Sequence, residues 1–306
     1  MEHIFELTKI KSEEITILEL QDAMDRGDVS SRELVMYYMY RIATFDQSGP
    51  MINSIMEMNP DAIYIAEALD QERKLSGARS LLHGVPVLLK GNIETNDKMH
   101  TTAGALALEN HVSSNDAFLV QKLRDAGAII LAKTNITEWA NGMSSSMWAG
   151  YSSIGGQTKN PSGDHFPGGS STAFAAFVEN YLYNLPAQLP VHNLNEWMEW
   201  NERNSEKALK YGQDMLDYRS QLDKPLNHSE YIVESISGLY YSQNMGIDHA
   251  LEKYGLDAIL FPAYVGADLS ARAGYPTIAV PAGFQENGRA LLINRKRYIY
   301  KRTYVC

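Results

Sequence analysis

The amino-acid sequence predicts an α/β fold, because segments with helical character alternate with short apolar runs. Residues 116–126 have helical character and end at Gly127, and the apolar run 128–131 follows at once. Another apolar run, 85–89, comes directly before Lys90. Helices joined through glycine to short buried strands are typical of proteins in which helices cover a sheet.

The first eighty residues predict a helical region. Ser30 and Glu33 have the spacing of a capping box, in which each side chain bonds the other residue's backbone N–H. A second helix is predicted to open at 59–61 with Pro60 at its first position, where the missing N–H of proline costs no hydrogen bond.

A long segment without periodicity separates two regular parts of the chain. Residues 140–172 are rich in glycine, serine and asparagine, and loops of this length are commonly functional or disordered. Helical patterns return at 193–209 and 231–254. Two short strands are then predicted, at 258–261 and 277–280, each ended by a proline.

Composition and charge limit the function classes. The chain has 306 residues and a formal net charge of −10, which argues against a general affinity for nucleic acid. No apolar run approaches the roughly 20 residues needed to cross a bilayer. We find no signal peptide, and the single cysteine, Cys306, excludes an internal disulfide framework. We therefore expect a cytoplasmic protein with no membrane partner, and its oligomeric state stays open.

The C-terminal segment differs in charge from the rest of the chain. Residues 289–306 contain six basic residues and no acidic residue. Such a segment can bind phosphates or anionic membranes. No amphipathic period accompanies it, so we interpret it as a solvated or disordered basic tail.

Several chemistries find no matching motif. The eight histidines are scattered and there is no cysteine pair, so no metal site is predicted. The sequence contains no phosphate-binding glycine loop and predicts no cofactor. The Gly-x-Ser-x-Gly and Ser-x-x-Lys patterns of other serine hydrolases are also absent.

Two features can carry chemistry. Lys90 lies at the C-terminal end of an apolar strand, where burial favours the neutral amine. Taken alone, this position is more typical of a partly buried lysine in a salt bridge. Residues 167–172 read Pro-Gly-Gly-Ser-Ser-Thr before an apolar, helix-like run, so backbone N–H groups there can approach an anion. Ser170 and Ser171 could relay a proton, although the segment alone fits a capped helix better.

Together these features resemble the amidase-signature family of hydrolases. The resembling motifs occur in order along the chain: Gly84-Val-Pro-Val-Leu-Leu-Lys90-Gly-Asn-Ile, Thr101-Thr-Ala-Gly, Asp125 to Asn135, Glu138, Gly155, Asn160-Pro161 and Pro167-Gly-Gly-Ser-Ser171. A weaker resemblance covers 257–262 and 273–283. The resemblance implies a mixed sheet flanked by helices.

The resemblance also implies a mechanism. In this family a neutral lysine deprotonates a serine on a cis peptide bond, and that serine activates a second serine, which attacks an amide carbonyl. By this resemblance Lys90 is the base and Ser170 is the bridging serine. The implied substrate is a small-molecule amide, and no cofactor is implied. The resemblance further implies a set of structural and oxyanion neighbours: Gly168, Gly169, Ser171, Met143, Ser144 and Ser145.

The chain departs from the family where the nucleophile belongs. The family's glycine–serine turn lies a short way beyond the bridging serine, and that spacing leads here to about Leu194. No serine occurs between Ser171 and Ser205, and Ser205 lies in a helical pattern without a glycine turn. We therefore expect a truncated fold that lacks an internal block with the nucleophile, whose identity here is unknown.

Four segments follow from these patterns: a helical region at 1–80, an amidase-signature core at 81–180, helices and short strands at 181–288, and a basic tail at 289–306. We expect Lys90 and Ser170 to lie within hydrogen-bonding distance. Because the neighbouring block is absent, we expect a trans peptide at Gly169–Ser170.

Three functional hypotheses stay open. The chain is an amidase by descent with impaired hydrolysis, or an active amidase that uses Ser171 or Ser145 as its nucleophile. The third hypothesis is a non-catalytic binding or assembly protein.

Overall fold

The computed structural model describes residues 15–161, 181–220, 229–262, 267–275, 278–284 and 290–295. The helices are α1 (Ile17–Arg26), α2 (Ser31–Arg41), α3 (Ala62–Ser76), α4 (Phe118–Asp125), α5 (Leu194–Arg203), α6 (Ser205–Ala208), α7 (Asp214–Ser220), α8 (Ser229–Ser242), α9 (His249–Tyr254) and α10 (Ala267–Arg272). The strands are β1 (Ile55–Met58), β2 (Pro86–Lys90), β3 (Ile129–Thr134), β4 (Tyr151–Ser152), β5 (Gly156–Gln157), β6 (Leu260–Pro262), β7 (Ile278–Phe284) and β8 (Ala290–Arg295).

The predicted capping box at the start of α2 is confirmed. The Ser30 hydroxyl accepts the Glu33 N–H at 3.2 Å, and Glu33 accepts the Ser30 N–H at 2.9 Å. The predicted start of the next helix is wrong by two residues, because α3 begins at Ala62. Asn59 holds a turn before the helix: its side chain accepts the Asp61 N–H at 2.9 Å and donates to the Ile130 carbonyl at 2.8 Å.

A three-stranded sheet of order β1-β3-β2 carries the lysine predicted as the base. β2 pairs with β3 in parallel, and β1, which the sequence analysis did not predict, pairs with β3 in the antiparallel sense. Val35, Ala66 and Ile129 belong to the cluster in which α2 and α3 contact β3. Val120 and Ile130 lie in a separate cluster with α4. Helices therefore contact this sheet through two separate apolar clusters, which confirms the predicted α/β class.

The described part of the glycine-rich segment, up to residue 161, has more structure than its composition predicts. Residues 138–140 form a 3₁₀ turn, and β4 and β5 form a small antiparallel pair. Three consecutive residues, Trp139, Ala140 and Asn141, have left-handed backbone angles, with φ of 49°, 55° and 71°. Side chains with a Cβ rarely adopt this conformation, so the surrounding contacts hold this turn in place.

The C-terminal part forms helices and a second three-stranded sheet, of order β6-β8-β7. The single helix predicted at 193–209 is divided into α5 and α6, whereas the helix predicted at 231–254 is continuous through α8, a π-helical turn and α9. The prediction that Pro281 ends a strand is wrong: β7 continues to Phe284, with a register irregularity next to this proline. β7 is an edge strand of this sheet, a place where proline is tolerated.

Part of the predicted basic tail is also regular. Ala290–Arg295 forms β8, the central strand of the second sheet, so the interpretation of these residues as a solvated or disordered tail is wrong. Residues 290–295 pair with β7, and residues 293–295 also pair with β6 on the other side of β8. None of the described helices combines the length and the hydropathy needed to cross a membrane.

Candidate active site

Lys90 is the last residue of β2 and is half-buried. Its neighbour in the sheet is Thr134, at the end of the parallel strand β3. The carboxyl ends of parallel strands are a common location for catalytic groups, because loops there converge on one edge of the sheet. Burial lowers the pKa of the Lys90 amine below its usual range, which increases the fraction of the neutral form that can act as a base.

Main-chain hydrogen bonds fix the turn that follows Lys90. The Gly91 N–H donates to the Thr134 carbonyl at 3.0 Å, and the Ile93 N–H donates to the Lys90 carbonyl at 2.9 Å. The Gly91 carbonyl accepts the N–H groups of residues 102 and 103. A Cβ on Gly91 would lie 2.6 Å from the Met56 methyl and 3.3 Å from the Thr134 carbonyl, so this close approach requires glycine.

The predicted bridging serine lies outside the described residues, which resume at 181. The same applies to Ser171 and to the glycines at 168 and 169. The distance between Lys90 and Ser170 and the geometry of the Gly169–Ser170 peptide therefore stay predictions.

Met143, Ser144 and Ser145, predicted as neighbours of the site, are held by contacts from α7 and the residues before it. Met143 is fully buried, and its carbonyl accepts the Met215 N–H at 3.1 Å. Ser144 is also buried, and its hydroxyl donates to the Tyr211 carbonyl at 2.6 Å. The exposed Ser145 bonds the carboxylate of Asp214 twice, through its N–H at 3.0 Å and its hydroxyl at 2.6 Å.

The contact between Ser145 and Asp214 does not provide a strong base. Hydrogen bonds from the hydroxyls of Ser145 and Ser144 and from the Ser145 N–H lower the pKa of Asp214 to about 2. A carboxylate with such a low pKa takes a proton from a serine only with great difficulty, because proton transfer follows the difference in pKa. This pair is therefore better suited to fixing the loop than to activating a nucleophile.

The region around Leu194, to which the spacing from Ser170 leads, is helical in this chain. Leu194 is the first residue of α5, and the side chain of Asn193 caps this helix by accepting the Glu196 N–H at 2.8 Å. Trp197, in the first turn, is fully buried. Ser205 begins the short helix α6 and is exposed. Residues 194–203 therefore form a capped helix with a buried tryptophan and not a glycine turn.

The sequence analysis assigned no role to two buried ionisable residues near this site. Lys133 is fully buried on β3, and Glu138 is fully buried at the start of the 3₁₀ turn. Burial lowers the pKa of Lys133 to about 8 and raises that of Glu138 to about 7. A sequence signal exists only for Lys133, which follows the apolar run Ala128–Ala132 at a position where a solvated lysine is unexpected.

Within the described part of the chain, no group of three or more histidine, cysteine, aspartate or glutamate side chains is arranged to hold a metal ion. The described candidate site residues are Lys90 with the turn after it and the loop at 143–146.

Comparison with solved structures identifies the fold. The peptide amidase from Stenotrophomonas maltophilia matches with a TM-score of 0.77 and 22% identity, covering 94% of this chain and 94% of that chain. An amidase family protein from Bacillus anthracis matches with a TM-score of 0.85 and 22% identity, covering 97% of this chain and 89% of that chain. The fold is therefore that of the amidase-signature proteins, a mixed α/β architecture.

Sequence comparison finds amidases among the similar proteins. The family model described as Amidase matches residues 33–180. A putative amidase of Schizosaccharomyces pombe is 39% identical over 184 residues, which cover 59% of this chain and 31% of the relative. A probable amidase of Arabidopsis thaliana is 42% identical over 151 residues, which cover 49% of this chain and 29% of the relative. Residues 33–180 of this chain are therefore similar to the amidase family.

A third relative has a different named role. One subunit of the glutamyl-tRNA(Gln) amidotransferase of Acinetobacter baumannii is 38% identical over 166 residues, which cover 54% of this chain and 32% of the relative. The chain thus spans about a third of the length of the curated relatives it matches.

Proposed function

We propose that this chain is an amidase-signature hydrolase by descent, built for amide C–N bond hydrolysis through a Ser-cisSer-Lys triad and impaired by the absence of the nucleophile segment. In this proposal Lys90 is the base, Ser170 is the bridging serine and the substrate is a small-molecule amide. A cytoplasmic location belongs to the proposal as well and rests on the sequence alone.

One observation carries the proposal: a helix occupies the region around Leu194, at which the spacing from Ser170 predicts the nucleophile. Asn193 caps that helix and Trp197 anchors it in the core, so the helix is supported by its own contacts. By contrast, the turn around Lys90 keeps the main-chain bonds and the lowered amine pKa that a base requires. These facts support the proposal that the chain retains part of the proton relay but lacks the nucleophilic serine that the relay would activate.

The chemistry explains why such a relay is nearly inactive. A neutral Lys90 takes the Ser170 proton only to let Ser170 take the proton of an attacking serine. Without that third group no acyl–enzyme bond forms, and the amide is left to uncatalysed attack by water. Removal of a nucleophile costs on the order of a millionfold in turnover.

The test compares the parent chain with Lys90→Ala and Ser170→Ala variants. We expect amide hydrolysis by all three proteins to be indistinguishable, because base and relay raise the rate only through a nucleophile that they activate. A fluorophosphonate probe should leave all three unlabelled, while a full-length amidase in the same assay becomes labelled. Hydrolysis by the parent that is lost in Ser170→Ala would overturn the proposed impairment.

A second candidate function is an active amidase with a substitute nucleophile. One contact favours it, since the Ser145 hydroxyl lies 2.6 Å from an Asp214 carboxylate oxygen. The low pKa of Asp214 opposes it, as argued above. Ser171 lies outside the described residues and stays a candidate from the sequence. Probe labelling that disappears in Ser145→Ala or in Ser171→Ala identifies the substitute.

The third hypothesis, a non-catalytic binding or assembly protein, draws support from the exposed apolar side chains of α8. It shares with the first hypothesis the expectation of no probe labelling. A stable oligomer in solution, measured by light scattering, would separate the two.

A further inference from the structure

Lys133 is a fully buried lysine that the proposed mechanism does not use. Its amine donates to the carbonyl of Ile93 at 2.5 Å and to the hydroxyl of Thr101 at 3.0 Å. Both partners are neutral, and no carboxylate among the described residues lies within ion-pair distance of this amine. Lysine is almost never fully buried without a partner, and these two hydrogen bonds are the direct contacts of the amine. The carboxylates of Asp97, Glu57 and Glu94 also favour its charged form.

The two acceptors belong to the two segments that enclose the turn after Lys90. Ile93 ends that turn, and its N–H donates to the Lys90 carbonyl at 2.9 Å. Thr101 begins the second segment, whose next residue donates its N–H to the Gly91 carbonyl at 3.1 Å. Lys133 therefore joins the outgoing chain after Lys90 to the segment that packs against it.

The sheet register places Lys133 behind Lys90 instead of beside it. Lys133 is opposite Leu89, and Lys90 is opposite Thr134. Successive side chains of a strand point to opposite faces, so the two lysines lie on opposite sides of the sheet. Lys133 can therefore act on Lys90 through the backbone turn, without touching a substrate on the other face.

We propose that Lys133 is a positioning residue, which fixes the turn after Lys90 and thereby keeps the Lys90 amine in its half-buried environment. The proposal rests on the proposed role of Lys90 as the base. Lysine suits this position because one ammonium group offers three donors at the end of a long apolar stem, which reaches both segments from β3. An apolar residue of the same length would leave the Ile93 carbonyl without this donor.

The test follows the titration of Lys90 directly and needs no hydrolytic activity. The full chain is acetylated with traces of acetic anhydride from pH 7 to 11, and labelling at each lysine is measured by peptide mass spectrometry. Lys122, an exposed lysine of α4, serves as the internal reference. The variants are Lys133→Met, which removes the donor, and Lys74→Met, a matched change at an exposed lysine of α3.

We expect Lys133→Met to shift the labelling midpoint of Lys90 to higher pH, so that its neutral fraction at pH 8 falls about tenfold. The reason is that a loosened turn admits water to the Lys90 amine and removes the effect of burial on its pKa. Lys74→Met should leave the midpoint unchanged. A folded Lys133→Met protein with the parent midpoint for Lys90 would overturn the proposal, as would an equal shift in Lys74→Met.

A second variant keeps the test decisive where Lys133→Met does not fold. Thr101→Val removes one of the two acceptors and keeps the side-chain shape, so we expect a shift in the same direction of about threefold in neutral fraction. An unchanged midpoint there also overturns the positioning role. The proposed function fails in a different way: parent Lys90 would then titrate with the same midpoint as Lys122.

Discussion

Among the single residues of this chain, Glu138 combines full burial with incomplete hydrogen bonding. One carboxyl oxygen accepts the Ser153 N–H at 2.8 Å and also the Ser153 hydroxyl. The other oxygen is buried and has no hydrogen-bond partner among the described residues. Burial raises the pKa of Glu138 to about 7, although both bonds from Ser153 act in the opposite direction. The folded protein therefore holds this proton at pH values where the unfolded chain has released it.

This raised pKa makes stability depend on pH. Below the unfolded value of 4.5 the group is neutral in both states and carries no penalty. As pH rises from 4.5 towards 7, only the unfolded state gains the hydrated charge, so the free energy of unfolding falls. Above pH 7 the decrease in the free energy of unfolding is complete and amounts to about 3 kcal/mol.

We predict that Glu138→Gln removes this pH dependence. The variant should gain about 3 kcal/mol relative to the parent between pH 4.5 and pH 8, because glutamine has the same shape and no charge to bury. Urea unfolding at both pH values measures the difference. Glu109→Gln, an exposed control, should give the same parent–variant difference at both pH values. Parallel profiles for the parent and Glu138→Gln would contradict the prediction.

Two glycines show how helix ends are built in this chain. Gly27 ends α1 with φ of 76°, and Gly127 follows α4 with φ of 83°. The surroundings differ: no atom lies within 4 Å of a Cβ placed on Gly27, whereas one on Gly127 would lie 2.7 Å from the His83 ring and 3.1 Å from its Cα. His83 is fully buried, and its ring nitrogen lies 3.0 Å from the Leu69 carbonyl, so the ring has little freedom to move.

We predict that Gly127→Ala destabilises the protein by about 3 kcal/mol and Gly27→Ala by about 1 kcal/mol. Both variants bear the cost of a left-handed alanine, and only Gly127→Ala also displaces a packed histidine. Chemical unfolding at one pH measures both values. Equal losses in the two variants would show that the His83 contact contributes nothing.

The elements that the sequence predicts best are those with a local signal. Such local signals are the capping box of Ser30 and Glu33, the glycine after α4 and the apolar runs of β2 and β3. Each of these elements is present within a few residues of its predicted position. β1 has no such signal, because Ile-Met-Glu-Met is too short to show a period and becomes a strand only by pairing with β3. β8 was missed because its basic neighbours dominate the composition of 289–306.

For the candidate site, the sequence predicts the position of Lys90 at a strand end but not what surrounds it. The Asp214 contact with Ser145 joins residues far apart in sequence, and so does the contact between Lys133 and Ile93. Such contacts depend on how loops and strands pack, which no local pattern encodes. The bridging serine stays a prediction, since it lies outside the described residues.

On the scale of the whole molecule, the N-terminal and C-terminal parts differ in how well they cover apolar surface. Around β3, helices α2, α3 and α4 contribute to apolar clusters. In the C-terminal part, the described core around Ile247 is small. α8 exposes large apolar side chains along much of its length: Val233, Ile236, Leu239, Tyr240 and Tyr241. An exposed apolar surface of this kind marks either an interaction site or a liability to aggregate.

We predict that this surface of α8 binds an apolar dye, because Val233 and Ile236 are 61% and 63% exposed and lie three residues apart on one helix face. The double variant Val233→Glu with Ile236→Glu should reduce anilinonaphthalene sulfonate fluorescence by about twofold or more, since the charges break the apolar surface. Leu75→Glu on α3 is the matched control. Leu75 is 87% exposed, and isolated exposed leucines form no dye site, so fluorescence should not change. Circular dichroism checks that the helices remain. Undiminished fluorescence in a helical double variant would mean that the dye binds elsewhere and that α8 is covered in solution.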